Sequence, residues 1–227
     1  MHVSWNVIAC TVARNYVTYY TALMAYATLP PNKHQEKSLR TRALLLDAAI
    51  DSLADVGYAN ASISDIAARA GVTRGAQVHH FRTRTELFAQ VIEYLADRQR
   101  DALHRRIESA ARSTTPAEVI VELTAATFSG RLGKASIQLF VAISNDDALR
   151  RRMLRVQREL TADLIDTCAR LIGPDVARDR LESTFWLTIH MVRGSTLDEM
   201  LGRDLRRRKQ TLADWTHLAQ VALSESS

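Results

Sequence analysis

The segment from Ser62 to Phe88, SISDIAARAGVTRGAQVHHFRTRTELF, constrains the fold more than any other part of the chain. It holds two short helical patterns separated by a glycine, followed directly by the start of a third. Ser62 stands at the cap of the first, with Asp65 three residues on, where a capping box normally carries Glu or Gln. Ile63, Ile66, Ala67 and Ala70 supply a buried face, Gly71 makes the turn, and Val72 is placed to plug the angle between the helices. Thr73 caps the second helix, Arg74 to about His80, which lacks a full apolar stripe. Ala76 and His80 or Phe81 can face inward, which leaves Arg74, Gln77 and His79 outside. Thr83 caps the third, with Glu86 completing a capping box.

The flanking sequence is helical throughout. Leu46, Ala49, Ile50 and Leu53 form one stripe in a helix from about Leu39 to Val56, stopped by Gly57, with Tyr58 able to pack back on it. Leu87, Phe88, Val91, Ile92 and Leu95 give the helix after Thr83 an apolar face that runs on to about Arg112. Pro116 opens another, to Phe128, and Gly130 and Gly133 break it. Further helical patterns cover about 134–144, 146–172, 175–201 and 209–225. Gly173-Pro174 and Gly202, with the basic run Arg206 to Lys209, separate them. Only eight glycines and four prolines punctuate the chain, and no strand-type alternation or internal repeat occurs, so the expected class is all-α. The expected organisation is an N-terminal arm over 1–36, a three-helix helix-turn-helix domain over 37–84, and a larger helical domain over 85–227.

Several functional classes lack support. Cys10 and Cys168 are far apart and read as free thiols in a reducing compartment. The adjacent His79 and His80 point about 100° apart on a helix, so no metal site is expected. There is no activated nucleophile, metal-ligand spacing or phosphate-binding glycine loop, so neither an enzyme nor a bound cofactor is expected. Residues 1–29 carry one charge, Arg14, yet Asn6, Asn15 and Arg14 interrupt the stretch and Pro30-Pro31 ends it. It is too polar to span a membrane, and a poorly ordered arm, or a true start at Met24, is the expectation. A cytoplasmic protein without a membrane partner follows. The net charge of +5 permits a polyanionic partner without requiring one.

A helix-turn-helix of this order presents its second short helix to a DNA major groove. The residues LLDAAIDSLADVGY (45–58), SISDIAARAGVTRGAQVHHF (62–81) and RTRTELF (82–88) resemble the DNA-binding domain of the tetracycline repressor (TetR) family. The resemblance spans 42 to 95; beyond residue 100 it extends only to length and helicity. It implies a ligand-sensing and dimerising domain after the DNA-binding one. Two departures stand out: Gln77 and Val78 occupy positions where relatives carry leucine and a phosphate-touching tyrosine, and Ser52 stands where an apolar residue is common.

Physics and matching together give Arg74, Gln77 and His79 as candidates for base edges, with the Gln77 amide suited to an adenine. Ser62, Thr73, Arg82, Thr83 and Arg84 are candidates for phosphates, with Arg40 and Arg42 ahead of the first helix as further ones. Between Ser62 and Arg84, four arginines face the one carboxylate Asp65. In the larger helical domain, Phe128, Phe140, Ile143, Met153, Leu164, Trp186, His190 and Met191 are candidate lining for an effector cavity. His190, after an apolar run, calls for a buried partner or a ligand, and Arg193 on its face suits an anionic effector or an internal ion pair. Leu197, Leu201, Leu212, Trp215, Leu218, Ala219 and Ala222 are candidates for a four-helix dimer interface.

The expected protein is a homodimeric repressor that binds a roughly palindromic double-stranded DNA operator and is released by an unknown small-molecule effector. The alternatives are a DNA-binding dimer without an effector, or an activator of the same fold.

Overall fold

The computed structural model describes residues 33–144, 146–202 and 205–224. The expectations for Cys10, Met24 and the arm up to residue 32 lie outside the described residues. Nine helices are found among the described residues. They are α1 (Lys33–Asn60), α2 (Ile63–Arg69), α3 (Arg74–His80), α4 (Arg84–Ala110), α5 (Pro116–Phe128), α6 (Gly130–Ala142), α7 (Asp147–Ile172), α8 (Arg178–Met200) and α9 (Leu205–Ser224).

The helices gather into two compact units. One holds residues 33–98 together with Arg131–Arg158; the other holds Gln99–Gly130 and the described residues from Glu159 on. The chain therefore does not divide at the expected 84/85 boundary. The physical reason is the core of the N-terminal unit, where Leu45, Ala49 and Leu53 of α1, Ile66 of α2, Phe81, and Phe88 and Val91 of α4 are buried with Ala135 and Leu139 of α6 and Val156 of α7. The three helices of the expected domain, two of them only seven residues long, do not enclose enough apolar surface alone, and the returning segment completes the cover.

α1 starts at Lys33, ahead of the expected Leu39, and its regular part ends at Gly57, which sits at φ 76° and ψ 167°. Only glycine tolerates that backbone readily. A Cβ there would also stand 2.9 Å from Oε1 of Gln138. The Tyr58 ring packs back as expected, 4.7 Å from the ring of Phe88. Gly133, expected to break a helix, is instead buried inside α6.

In the second unit α5, α8 and α9 pack on one another. α5 is started by Thr115, whose hydroxyl accepts the Glu118 N–H while Glu118 accepts the Thr115 N–H at 3.0 Å, with Pro116 in the first turn. Burial pushes the Glu118 carboxyl up, and hydrogen bonds from Thr114 and Thr115 more than offset this, so its pKa lies below the ordinary value. Leu123, Phe128, Leu164, Cys168, Phe185 and Ile189 form the centre of the core. The Cys168 thiol is fully buried and burial raises its pKa to about 12, which makes it an inert packing group.

Candidate nucleic-acid interface

The helix-turn-helix is held by local chemistry. The Ser62 hydroxyl oxygen accepts the Asp65 N–H at 3.1 Å and its proton is donated to the Asp65 carboxylate at 2.6 Å. Asp65 is one methylene shorter than Glu, and it meets the hydroxyl instead of reaching back to the cap backbone as a full capping box would. At the other end of α2, Gly71 adopts φ 64°. The Val72 N–H reaches the Ala67 carbonyl at 3.0 Å and the Gly71 N–H reaches Ala68 at 3.1 Å. This is a Schellman motif, and Val72 folds onto the core beside it. Thr73 then caps α3 by accepting the Ala76 N–H at 3.4 Å. Thr83 accepts the Glu86 N–H at 3.1 Å, and Glu86 accepts the Arg82 N–H at 3.0 Å.

These bonds fix which side of α3 faces out: Arg74 and His79 are exposed as expected, and Gln77 is not. Gln77 is only 5% exposed, and its amide donates to the Phe81 carbonyl at 2.5 Å. It is therefore withdrawn from the solvent face and is not an available base reader. The reason is spacing: Phe81 is buried, and a residue four positions earlier on a helix lies on the same side. Arg74, Gly75, Val78 and His79 form the exposed face. Val78 and Gly75 are the residues that sequence reasoning missed there; choosing Phe81 over His80 as the inward anchor would have found them. His80 is half-buried, with its ring 5.2 Å from that of His79. Burial, then the neighbouring His79 and Arg42 charges, hold its pKa below the ordinary histidine value.

Among the expected phosphate contacts, Arg40, Ser62, Thr73, Arg82 and Thr83 are exposed. Arg84 is different. Its guanidinium lies 3.8 Å from the centroid of the Tyr58 ring and donates to the carbonyls of Ala61, at 3.2 Å, and of Tyr58. It joins the end of α1 to the start of α4, so its expected phosphate role is corrected to a structural one. Arg42 is half-buried and donates to Gln90 at 2.6 Å, with its guanidinium 5.9 Å from the Phe81 ring centroid. Arg69 is held by Asp55 at 2.6 Å, and Asp55 also meets Arg131 at 2.9 Å. The Arg69 bond, opposed by burial and reinforced by Arg131, keeps the Asp55 carboxyl below its ordinary range.

The residues expected to line an effector cavity divide between the two units. Ile143 and Met153 are buried in the core of the N-terminal unit, and Phe140 packs against that core. Phe128 and Leu164 lie in the core of the other unit. Trp186 and His190 are exposed, one turn apart, with ring centroids at 6.4 Å. His190 therefore has no need of a buried partner. It lines, with Met191, Leu197, Glu199 and Arg208, a cleft of about 430 Å³ between α8 and α9. Arg208 donates to Glu199 there at 3.0 Å, so one member of the basic run expected in solvent folds back on α8. Arg193 turns inward, its guanidinium 5.2 Å from the Phe128 ring centroid, and burial lowers its pKa. The Thr124 hydroxyl, one turn before Phe128, is buried and has no hydrogen-bond partner among the described residues.

The expected dimer residues also divide. Leu197, Leu201, Leu218 and Ala222 are exposed. Ala219 is buried, and Leu212 and Trp215 pack on the unit's own core, with the Trp215 indole N–H donated to Thr188 at 2.9 Å. Leu187 and Val221, not expected, extend the exposed apolar surface with Trp186. Trp186, His190, Leu197 and Leu201 recur at helical spacing, a signal legible in the sequence once Phe185 and Ile189 are assigned inward. Among the described residues, no group of three His, Cys, Asp or Glu is placed to hold a metal ion, and no helix is long and apolar enough to cross a membrane.

A short exposed helix set by a capped turn, on an otherwise helical chain, defines a helix-turn-helix transcriptional regulator. The profile of the family described as "Bacterial regulatory proteins, tetR family" matches residues 45–91. Over 145 residues the chain is 30% identical to a helix-turn-helix-type transcriptional regulator of Mycobacterium bovis, covering 62% of this chain and 72% of that protein. Over 175 residues it is 29% identical to the helix-turn-helix-type transcriptional regulator CymR of Pseudomonas putida, covering 76% of this chain and 85% of CymR. The crystal structure of the TetR-like regulator LfrR of Mycobacterium smegmatis, in complex with proflavine, superposes with a TM-score of 0.54 at 20% identity, over 82% of this chain and 98% of that one. The chain belongs to the TetR family of transcriptional regulators.

Proposed function

We propose that this regulator is a homodimeric repressor, released from a roughly palindromic operator by a small organic effector. The observation that carries the DNA-reading part is the solvent face of α3, where Arg74, Val78 and His79 stand clear of the protein. Arg40, Ser62, Thr73, Arg82 and Thr83, also exposed, are suited to flanking phosphates. A twofold dimer would set two copies of α3 about 34 Å apart, one turn of DNA.

Support for the dimer comes from Trp186, Leu187, Leu197, Leu201, Leu218 and Val221, all exposed large apolar side chains on α8, its C-cap and α9. An exposed apolar surface of this kind marks an interaction site. The cleft lined by His190 and Leu197 falls on this same surface and is better read as part of the seam than as the effector site.

Support for an effector comes from the polar interior of the second unit. Thr124 is 0% exposed with an unpartnered hydroxyl, and the buried Arg193 guanidinium sits over Phe128. A buried hydroxyl such as that of Thr124 is costly unless something satisfies it, and a cation over an aromatic ring suits an organic anion with an apolar body. Effector binding would release DNA only by its differential affinity for two dimer conformations, worth roughly 1–3 kcal/mol.

The test is a thermal-shift screen of the full chain against small organic acids, bases and neutral aromatics, followed by DNA release. Acids should raise the melting temperature and release a bound duplex, and Arg193→Met should lose both effects. A screen in which no acid acts would favour the DNA-binding dimer without an effector.

A further inference from the structure

Val78 sits in the middle of the outward face of α3 and is 46% exposed. It follows Arg74 by one turn and Gly75 by three residues, so the three share one side of the helix. A β-branched residue is a poorer helix former than alanine, and an apolar side chain cannot hold a phosphate or accept or donate a hydrogen bond. Neither helix propensity nor core packing accounts for it. Gly75 is equally unexplained by the protein. A Cβ built there meets nothing within 4 Å, so a side chain would fit, and glycine costs helix stability relative to alanine.

Both features make sense against a base edge. In the major groove the only apolar group offered by the four base pairs is the 5-methyl of thymine, while the other edges are donors and acceptors. We infer that Val78 is a specificity-determining residue that reads a thymine through its methyl group, with Gly75 keeping the adjacent helix surface open for that approach. Arg74 and His79 flank this contact with hydrogen-bonding groups for the neighbouring positions. The assignment rests on the reading of α3 as the helix that enters DNA.

The experiment begins with the duplex that the full-length protein selects from a random pool. Each thymine is replaced in turn by deoxyuridine, which removes the methyl and leaves base pairing intact, and affinities are measured by fluorescence anisotropy. One thymine in each half-site should lose about fourfold in affinity, the loss expected for one buried methyl-sized group. Val78→Ala should bind the intact duplex about fourfold more weakly per half-site and no longer distinguish thymine from deoxyuridine. Its circular dichroism should be unchanged and its melting temperature no lower, because Val78 is outside the core and alanine is the better helix former. Gly75→Ala should fold at least as stably and bind more weakly. The inference is overturned if no thymine methyl matters to the wild-type protein, if the selected duplex has no thymine in its half-sites, or if Val78→Ala keeps the full discrimination. Failure to select any duplex would overturn the DNA-reading assignment of α3 itself.

Discussion

Gln77 and Phe81 hold each other across the last turn of α3. The Phe81 N–H donates to the Gln77 carbonyl at 2.7 Å, and the Gln77 side-chain amide donates back to the Phe81 carbonyl at 2.5 Å. The pair satisfies a carbonyl that a helix end otherwise leaves open, and it does so inside the domain. Gln77→Ala should cost about 1–2 kcal/mol of stability through the lost bond and the space left behind. Gln77→Glu should cost more, because a carboxylate cannot donate to the carbonyl. Operator preference at every base step should be unchanged in Gln77→Ala, as read by competition between variant duplexes. A change confined to one step, with no loss in melting temperature, would restore Gln77 as a base reader.

Arg82 and Arg84 should separate cleanly. Arg84 is occupied by the Tyr58 and Ala61 carbonyls and the Tyr58 ring, whereas Arg82 is exposed. Arg84→Ala should destabilise the domain by about 1.5–3 kcal/mol, the range for charged hydrogen bonds, and leave the salt dependence of DNA binding unchanged. Arg82→Ala should leave the melting temperature unchanged and lower the slope of log K against log salt by about 1. The reverse pattern would show that Arg84 faces phosphate.

Stability should fall as pH drops from 7 toward about 5, still above most of the ordinary carboxylate range. Burial lowers the pKa of both His80 and His104 from 6.5 in the folded chain. The unfolded chain then binds more protons, so the stability these neutral rings contribute is present above 6.5 and is lost as pH falls toward their folded values. Asp55 and Glu118, both lowered, add no loss in that window. Melting temperatures measured across the range should decline, and replacing both histidines by Gln should flatten the decline. A flat wild-type curve would contradict it.

The assembly prediction concerns Leu201, 70% exposed, and Leu218, 60% exposed. Leu201→Glu with Leu218→Glu should shift the protein from dimer to monomer in light scattering without loss of helicity, since neither side chain is buried in its own unit. It should also weaken operator binding by far more than either change weakens folding. A dimer that survives both changes would place the interface elsewhere.

What could be read from the sequence was what local chemistry decides. Ser62, Thr73 and Thr83 cap helices because a hydroxyl meets an N–H two or three residues on, and Gly57 and Gly71 turn the chain because their φ is positive. What could not be read depends on distant partners. In Arg82-Thr83-Arg84 nothing local distinguishes the two arginines; only the return of Tyr58 across Phe88 gives one of them a structural task. Phe140, Ile143 and Met153 have the composition of a cavity wall, yet Arg131–Arg158 packs with the N-terminal helices, and apolar character alone does not say which core a residue joins. Three-residue spacing puts Arg193 on the face of His190, but His190 points to solvent while Arg193 turns onto Phe128.

The most direct test of the account is selection of bound duplexes from a random pool, performed with the wild-type chain and with Arg74, Val78 and His79 together replaced by Ala. The wild type should enrich a twofold-symmetric motif with half-site centres about 10 base pairs apart. The triple variant, folded by circular dichroism, should enrich nothing above background. An enriched motif that the triple variant selects equally well would contradict it.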